Sequence, residues 1–157
     1  MKRYGMSGPR LAVRALIRDA GRLLLVNAYS EADPKGVSDL WCAPGGGVER
    51  GASLPDNLAR EVYEETGLRI TVGALVGVNE FHDPKGGFHQ VDLFFRATIA
   101  DGIVTAAWTD PEGVVSKRRF VTEAELSTLR HKPGSLARMA FRDTGAALYD
   151  PLEPIVR

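Results

Sequence analysis

Alternating apolar and polar residues predict several β-strands before and after one amphipathic helix. The first run, RLAVRALIRD, alternates with the period of two expected of a half-buried strand, and Asp19-Ala20-Gly21 follows it. A second apolar run, RLLLVNAY, comes directly after this turn, so the two runs predict a β-hairpin. Further extended segments are predicted at residues 40–44, at 68–81 as one strand or two, at 88–99 and at 114–121.

The clearest helix pattern lies between residues 53 and 66. Leu54, Leu58 and Val62 recur at intervals of four residues and form an apolar stripe. Ser53 is a favourable N-cap residue, and Gly67 suits the left-handed position that ends many helices. We therefore predict a helix from Ser53 to the residue before Gly67.

Two shorter helices are predicted near the C-terminus. Thr122 and Glu125 have the spacing of a capping box, which predicts a helix through about Leu129, and residues 135–144 predict a last helix before an extended tail. Strands mixed with helices, without repeats or a low-complexity linker, indicate one α/β domain over residues 1–157.

Composition and charge remove several classes of function. The chain has 157 residues, of which 44% are hydrophobic and 25% charged, as in ordinary globular proteins. Lys plus Arg and Asp plus Glu each number 20, so no overall basic field favours binding to nucleic acid or to an anionic membrane. Apolar runs are too short to span a bilayer, and the first ten residues lack the apolar segment of a secretory signal.

The cysteine content agrees with a cytoplasmic location, which we expect for this protein. Cys42 is the single cysteine in the sequence, so an internal disulfide is excluded. Its neighbours in LWCAP are apolar and no histidine is near it in sequence, which favours a packing role over a nucleophilic one.

Three glutamates in the predicted helix are the strongest candidates for chemistry. Glu61, Glu64 and Glu65 are spaced i, i+3 and i+4, so their carboxylates share one helix face near the C-terminus, where like charges and the helix dipole both disfavour them. A solvated acidic face is the ordinary explanation of such a run. A divalent cation is the alternative, because Mg²⁺ prefers hard oxygen ligands. The glycines at 45–47 predict a turn before the helix, where main-chain carbonyls and amides can approach closely because glycine has no Cβ.

These residues and their neighbours resemble the Nudix box, G-x5-E-x7-R-E-U-x-E-E-x-G-U, in which U is a bulky aliphatic residue. The segment departs from the pattern once, since Ala52 occupies the position of the first glutamate. The segment LWCAPGG, with Trp41 and Pro44, also resembles the W-x-x-P-G-G sequence common in the family. The positions that match the box are Gly46, Arg60, Glu61, Val62, Glu64, Glu65, Gly67 and Leu68.

The resemblance implies a Nudix-type α/β/α sandwich with a mixed β-sheet, and it implies the site residues. Glu61, Glu64 and Glu65, with the main-chain carbonyl of Gly45, would bind Mg²⁺ or Mn²⁺. Arg60 would steady the glutamates, so the resemblance assigns catalytic roles to Arg60, Glu61 and Glu64.

An additional acid is expected on a later loop, where many family members carry one. Glu112 is the candidate, Asp110 is an equal competitor, and an ordinary turn acid is the simpler alternative for both. The missing box glutamate leaves open which residue supports Arg60, and we hypothesise that Asp56 or Glu49 does.

The resemblance further implies hydrolysis of the pyrophosphate bond in a nucleoside diphosphate linked to another moiety. Alternatives are a nucleoside triphosphate pyrophosphohydrolase and a non-catalytic nucleotide-binding regulator, which Ala52 alone would favour. The expected partner is a small nucleotide, without membrane or nucleic acid, and a homodimer is an open alternative because many relatives dimerise. We expect specificity to reside in residues 29–40 and 80–87.

Several residues outside the box are candidates for substrate binding, each with a simpler structural explanation. Aromatic side chains could stack on a base or simply fill the core. Two of the three histidines could assist binding or be ordinary turn and strand residues. The basic run at 117–119 could meet phosphates or face solvent. The aromatic candidates are Phe88, Phe94, Phe95 and Trp108, and the histidines are His82 and His89.

Overall fold

The computed structural model of the protein describes residues 8–28, 39–143 and 145–156. Among these residues, the helices and strands alternate in the order expected of a mixed α/β fold. In chain order they are β1 (Arg10–Asp19), β2 (Arg22–Asn27), β3 (Trp41–Cys42), β4 (Gly45–Gly47), α1 (Leu54–Thr66), β5 (Arg69–His82), β6 (His89–Asp101), β7 (Arg118–Val121), α2 (Glu123–Leu126), α3 (Leu136–Phe141) and β8 (Leu148–Pro154).

The sheet is mixed, and its long first strand joins the two halves. Strand β1 pairs in parallel with β6 through residues 10–17, whereas its last two residues pair antiparallel with β2. The strand order is β3-β2-β1-β6-β5-β8, with β4 added to β1 and β7 added to β2. Strand β8 is parallel to β5, so the C-terminal part of the described chain forms an edge of this sheet.

Alternation along the strands divides the core into two layers, one under each main helix. Val13, Ala15 and Ile17 of β1 pack with Leu58 and Val62 of α1. Side chains of the opposite parity, including Leu16 and Phe94, pack with Leu136 and Met139 of α3. Fully burying a Leu or Val side chain stabilises a fold by roughly 1.5–3 kcal/mol, so these layers fix the two helices on opposite faces. The predicted α/β sandwich is confirmed.

Helix α1 begins and ends where the sequence predicts. The Ser53 hydroxyl accepts a hydrogen bond from the Asp56 N–H at 3.1 Å. Gly67 has φ 78°, and its N–H donates to the Tyr63 carbonyl at 2.8 Å. A side chain at Gly67 would lie 2.8 Å from the Trp108 ring, so both the turn and the packing require glycine here.

Several predicted elements differ from the structure, and α3 covers only Leu136–Phe141 of the helix predicted at 135–144. The glycines at 45–47 form strand β4 on β1 instead of a turn. Strand β7 covers only 118–121, because the preceding N–H groups of Ser116 and Lys117 donate to the Asn27 side chain. Helix α2 stops at Leu126, after which i to i+3 hydrogen bonds continue the chain through Leu129.

Two further predictions concern the segment at 68–81 and the loop at 29–40. The segment at 68–81, left open as one strand or two, is one long strand with irregular register near residues 72–77. Of the loop at 29–40 that we expected to carry specificity, residues 29–38 lie outside the described residues. Within the described ranges, no helix has the length and apolar character needed to cross a membrane.

Candidate active site

Strand β4 brings the main chain directly against α1. Its glycines leave no room for side chains: a Cβ at Gly45 would lie 1.9 Å from the Val13 carbonyl oxygen, and one at Gly46 would lie 2.6 Å from Oε2 of Glu61. Both glycines are therefore needed for the close approach of the main chain, as expected from the missing Cβ, but they lie in a strand and not in the predicted turn.

Three acids converge beside this strand. Oxygens of Glu61, Glu64 and Glu112 all lie within 4.8 Å of one another, the one such group among the residues that the structure describes. We call them the acid trio. Burial raises the pKa of Glu61, Arg60 opposes that shift, and the neighbouring charges of Glu64 and Glu112 add to it. Three carboxylates this close repel one another, so the trio favours a cation.

Arg60 is the cation that the chain itself supplies to the trio. One guanidinium nitrogen donates to Glu61 at 3.2 Å and to Glu64 at 3.3 Å. The other donates to Oδ1 of Asn57 at 3.0 Å and lies 3.6 Å from the Glu49 carboxylate. Arg60 therefore holds two members of the trio while two further groups orient it.

Asn57 connects Arg60 to the loop that carries Ala52, and the sequence reasoning missed it. Its buried side chain accepts from the Glu49 N–H at 2.8 Å and donates to the carbonyls of Ala52 and Ser53 at 3.1 and 2.9 Å. The signal in the sequence was its position three residues before Arg60, on the same helix face. Of the two acids hypothesised to support Arg60, the one that the structure places at the guanidinium is Glu49.

Asp56, the other hypothesised support, contacts Ser53 at the start of α1. Its backbone N–H donates to the Ser53 hydroxyl at the start of α1, and the residue is exposed. The geometry therefore gives no role at Arg60 to Asp56.

Glu65 lies apart from the acid trio. Its carboxylate accepts the Gly45 N–H at 3.0 Å and is almost completely buried. Burial raises the pKa of Glu65 to about 8, although the nearby Arg14 charge and the Gly45 hydrogen bond favour the ionised form. The structure thus brings together two of the three predicted metal-binding glutamates and places the third against the glycine strand.

Arg14 is a second functional-site candidate that the sequence reasoning missed. It projects from β1, forms an ion pair with Asp92 at 3.4 Å, and donates to the carbonyls of Ala43 and Gly45 at 3.2 and 3.4 Å. The Gly45 carbonyl, predicted as a metal ligand, therefore lies beside a partly buried guanidinium. Its charge in the middle of β1, between apolar residues 11–13 and 15–17, was the available signal.

The loop that carries Glu112 is held in shape by Asp110. The buried Asp110 carboxylate accepts from the N–H groups of Glu112, Val114 and Val115 at 2.9, 3.2 and 2.9 Å. The two candidate acids thus have different positions: Asp110 folds the loop, and Glu112 joins the trio.

Both ends of this loop are attached to the end of α1. The Trp108 indole N–H donates to the Glu64 carbonyl at 2.8 Å, and Arg118 donates to the Glu65 carbonyl. These carbonyls belong to the last turn of the helix, which has no partners of its own for them. Anchoring the loop there fixes Glu112 relative to Glu61 and Glu64.

The other candidate binding residues divide into those that pack in the protein and one, Phe88, that lines a pocket. Phe94 and Phe95 are buried in the core, and Trp108 packs edge-on against Tyr63 with ring centroids 5.3 Å apart. His82 and His89 face each other across β5 and β6, on the side opposite Phe81 and Gln90. Of the four aromatic candidates, Phe88 is the one that lines the pocket described next.

A pocket of about 550 Å³ opens beside the trio. Glu61, Glu65, Glu112 and the three glycines of β4 line one part of it, together with Arg10 and Arg14. Its volume is within the range of pockets that bind small molecules and cofactors. The run at 117–119 is absent from the lining that the described residues provide.

Comparison with known proteins identifies the family of this chain. The model of the NUDIX domain matches residues 8–140. The chain belongs to the NUDIX domain family. The predicted family is therefore confirmed.

Curated relatives match part of their length. The chain is 35% identical over 97 residues to diphosphoinositol polyphosphate phosphohydrolase 2 of Rattus norvegicus, which covers 60% of this chain and 51% of that protein. It is 32% identical over 108 residues to nucleoside diphosphate-linked moiety X motif 6 of Mus musculus, covering 69% and 34%. The aligned part of this chain thus spans between a third and about half of the length of these relatives.

Solved structures show the same fold. A NUDIX hydrolase from Nitrosomonas europaea superposes with a TM-score of 0.69 at 21% identity, covering 84% of this chain and 86% of that one.

Proposed function

We propose that this protein is a divalent-cation-dependent hydrolase that cleaves the pyrophosphate bond of a nucleoside diphosphate linked to another moiety. The observation that carries the proposal is the acid trio of Glu61, Glu64 and Glu112 beside a pocket of about 550 Å³, with Arg60 holding Glu61 and Glu64. The names of the curated relatives, which include phosphohydrolases and a nucleoside diphosphate-linked moiety X motif protein, support it.

The donor set fits a hard cation. The trio offers carboxylate oxygens from three side chains, which are the ligands preferred by Mg²⁺ and Mn²⁺. Their mutual repulsion is a local cost that a bound cation would remove. Such an ion would neutralise diphosphate charge and lower the pKa of a bound water. Glu61, Glu64 and Glu112 would hold it, and Glu65 and the Gly45 carbonyl complete the ligand set expected from the family resemblance.

The chain's own residues have distinct tasks in this proposal. Arg60 keeps the carboxylates of Glu61 and Glu64 in place through its two hydrogen bonds. Glu49 and Asn57 hold Arg60 in turn, in place of the glutamate that Ala52 replaces. A carboxylate oxygen of the trio accepts the proton of the attacking water as the bridging P–O bond breaks.

A substrate panel tests this function. Purified protein is incubated with MgCl₂ and with ADP-ribose, nucleotide sugars, dinucleoside polyphosphates and nucleoside triphosphates, and the products are identified by chromatography. We expect a nucleoside monophosphate and a phosphorylated second product from the diphosphate derivatives. Release of pyrophosphate from triphosphates, with diphosphate derivatives left intact, would instead establish a triphosphate pyrophosphohydrolase.

Glu64→Gln tests the site assignment within the same assay. It removes one charge from the trio and keeps the side-chain size, so we expect turnover to fall at least a hundredfold. Glu123→Gln is the matched control, because Glu123 is a helix glutamate that pairs with Arg142 and does not line the pocket. Equal loss in both variants, or an active Glu64→Gln, would contradict the assignment. Nucleotide binding without turnover in the wild type would favour a regulator.

A further inference from the structure

The pocket extends from the acid trio to an end formed by aromatic and aliphatic side chains. Phe81 and Phe88 line this end together with Ile155 and Val156. The two phenyl rings are in contact, with centroids 6.2 Å apart and planes at 41°. Phe88 is 39% exposed, although it is a large apolar residue at a hairpin turn. We call Phe81 and Phe88 the aromatic end of the pocket.

The strands determine which side chains reach this end. Phe81 on β5 is opposite Gln90 on β6, and both line the pocket. Neighbouring residues of opposite parity point to the other face, where His89 contacts Glu80 at 3.1 Å. Phe88 directly precedes β6, so the short turn places its ring beside Phe81.

Strand β8 closes the aromatic end from the side. The Ile155 N–H donates to the His82 carbonyl at 2.8 Å, which places Ile155 and Val156 along the hairpin. The strand is fastened further back, because Asn79 donates to Asp150 at 2.9 Å and Ser135 donates to the same carboxylate at 2.7 Å. The wall around the aromatic end is therefore assembled from β5, the turn before β6 and the residues that follow β8.

The charges on the pocket wall limit what can occupy it. The acids are Glu61, Glu65, Asp83, Asp110 and Glu112, whereas the bases are Arg10, Arg14 and Lys132. Arg14 is already paired with Asp92, and Arg10 donates to Gln90. Glu61 and Glu112 are assigned to the cation, and the base beside Phe81 is Lys132, so a ligand with further phosphates would meet little positive charge at the aromatic end. An uncharged planar ring needs no such charge.

We propose that the aromatic end binds the base of the nucleotide, with the ring of Phe88 as the stacking surface, while the diphosphate lies toward the acid trio. The inference rests on the proposed function, because it assigns the base subsite of the same pocket. Phe81 supports Phe88 from behind. Lys132, whose Nζ is 5.6 Å from the centre of the Phe81 ring, supplies a hydrogen-bond donor at the edge of the subsite.

Calorimetric binding of two non-hydrolysable probes with MgCl₂ tests the inference. The first is α,β-methylene-ADP, and the second is methylenediphosphonate, which has the same phosphorus skeleton without nucleoside. Base stacking on an aromatic side chain contributes roughly 1–3 kcal/mol, so we expect Phe88→Ala to weaken the nucleotide probe about tenfold. The diphosphonate should bind the variant and the wild type equally well.

Two further variants separate stacking from general damage. Phe88→Trp keeps an aromatic surface and should bind the nucleotide at least as well as the wild type. Ile103→Ala removes another exposed apolar side chain, 79% exposed and outside the pocket lining, and should change neither probe. With a hydrolysed substrate, Phe88→Ala should raise KM and leave kcat within about threefold.

Specific results would overturn the inference. Unchanged nucleotide affinity in Phe88→Ala would do so, as would equal weakening of both probes, since the second result places the effect on the phosphates. Failure of the proposed function gives a different pattern, namely no turnover of any diphosphate by the wild type. The calorimetric comparison is independent of turnover and would still decide whether the aromatic end binds a base.

Discussion

The burial of Glu65 predicts that the metal-free protein loses stability as pH rises through neutrality. Folding raises the pKa of Glu65 from 4.5 to about 8, because the carboxyl is buried. Between these two values the folded protein keeps the proton and the unfolded chain releases it. The contribution of Glu65 to the free energy of unfolding is therefore fully present below about pH 4.5, and it is lost progressively as the pH rises to about 8.

The size of the effect follows from the pKa values. Each pH unit inside this interval lowers the free energy of unfolding by ~1.4 kcal/mol for one proton. The interval from 4.5 to about 8 therefore limits the total loss to roughly 5 kcal/mol. That is a large part of the stability of a typical domain.

Urea unfolding in EDTA at half-unit steps from pH 5 to pH 8 measures this dependence. The comparison is with Glu65→Gln, which keeps an oxygen for the Gly45 N–H but cannot ionise. The two proteins should have similar free energies of unfolding at pH 5. At pH 8 the wild type should be less stable than the variant by a few kcal/mol, and the difference should grow steadily between these limits.

Parallel stability curves would refute the reasoning. If wild type and Glu65→Gln differ by a constant amount across this range, Glu65 titrates alike in the folded and unfolded states, and its burial has no electrostatic cost. A wild type that gains stability relative to the variant with rising pH would reverse the sign, and would mean that the attraction of Arg14 dominates over desolvation.

Three further predictions concern the acid trio and its supports. Gly46→Ala places a methyl group 2.6 Å from Glu61 Oε2, so it should displace that carboxylate and lower turnover at least tenfold, measured beside urea unfolding to separate activity from stability. Trp108→Phe removes the hydrogen bond to the Glu64 carbonyl and should cost about 1 kcal/mol in thermal unfolding, with a fall in kcat because Glu112 loses an anchor. MgCl₂ at a hundred times its Kd should stabilise the wild type by ~2.7 kcal/mol relative to EDTA, and Glu64→Gln should lose most of that gain; an unchanged melting temperature in the wild type would argue against the cation site.

The local features of the fold were predictable because they depend on neighbours in sequence. The hairpin of β1 and β2, both ends of α1 and the capping box at Thr122 follow from turn residues and caps within a few positions. The parallel pairings of β1 with β6 and β5 with β8 join residues far apart in the chain. Alternation shows that these strands exist but does not determine their partners.

The site divides in the same way. The spacing of Glu61 and Glu64 on one helix face was sufficient to predict that they converge. Their third partner, Glu112, depends on a loop whose shape comes from Asp110 and whose anchors are Trp108 and Arg118. Nothing in the spacing of the sequence reports such tertiary hydrogen bonds, so Glu112 and Asp110 were equivalent until the loop was seen.

Glu65 shows why one helix face does not imply one environment. It is adjacent to Glu64 in sequence and four residues from Glu61, yet its carboxylate meets the Gly45 N–H beneath the surface. The direction of the side chain depends on where β4 lies, which the sequence analysis had predicted as a turn. Glu65 as a cation ligand stays a prediction.

Residues that shape the pocket wall and residues that form the acid trio lie in different parts of the chain. The NUDIX match ends at residue 140, whereas Ile155 and Val156 form part of the wall around the aromatic end of the pocket. Changes in the last dozen described residues could therefore reshape the space offered to a ligand while the trio and its supports remain untouched. If the proposed hydrolysis holds, selectivity can be engineered by exchanging β8 and the residues that follow it, at a distance in sequence from the trio.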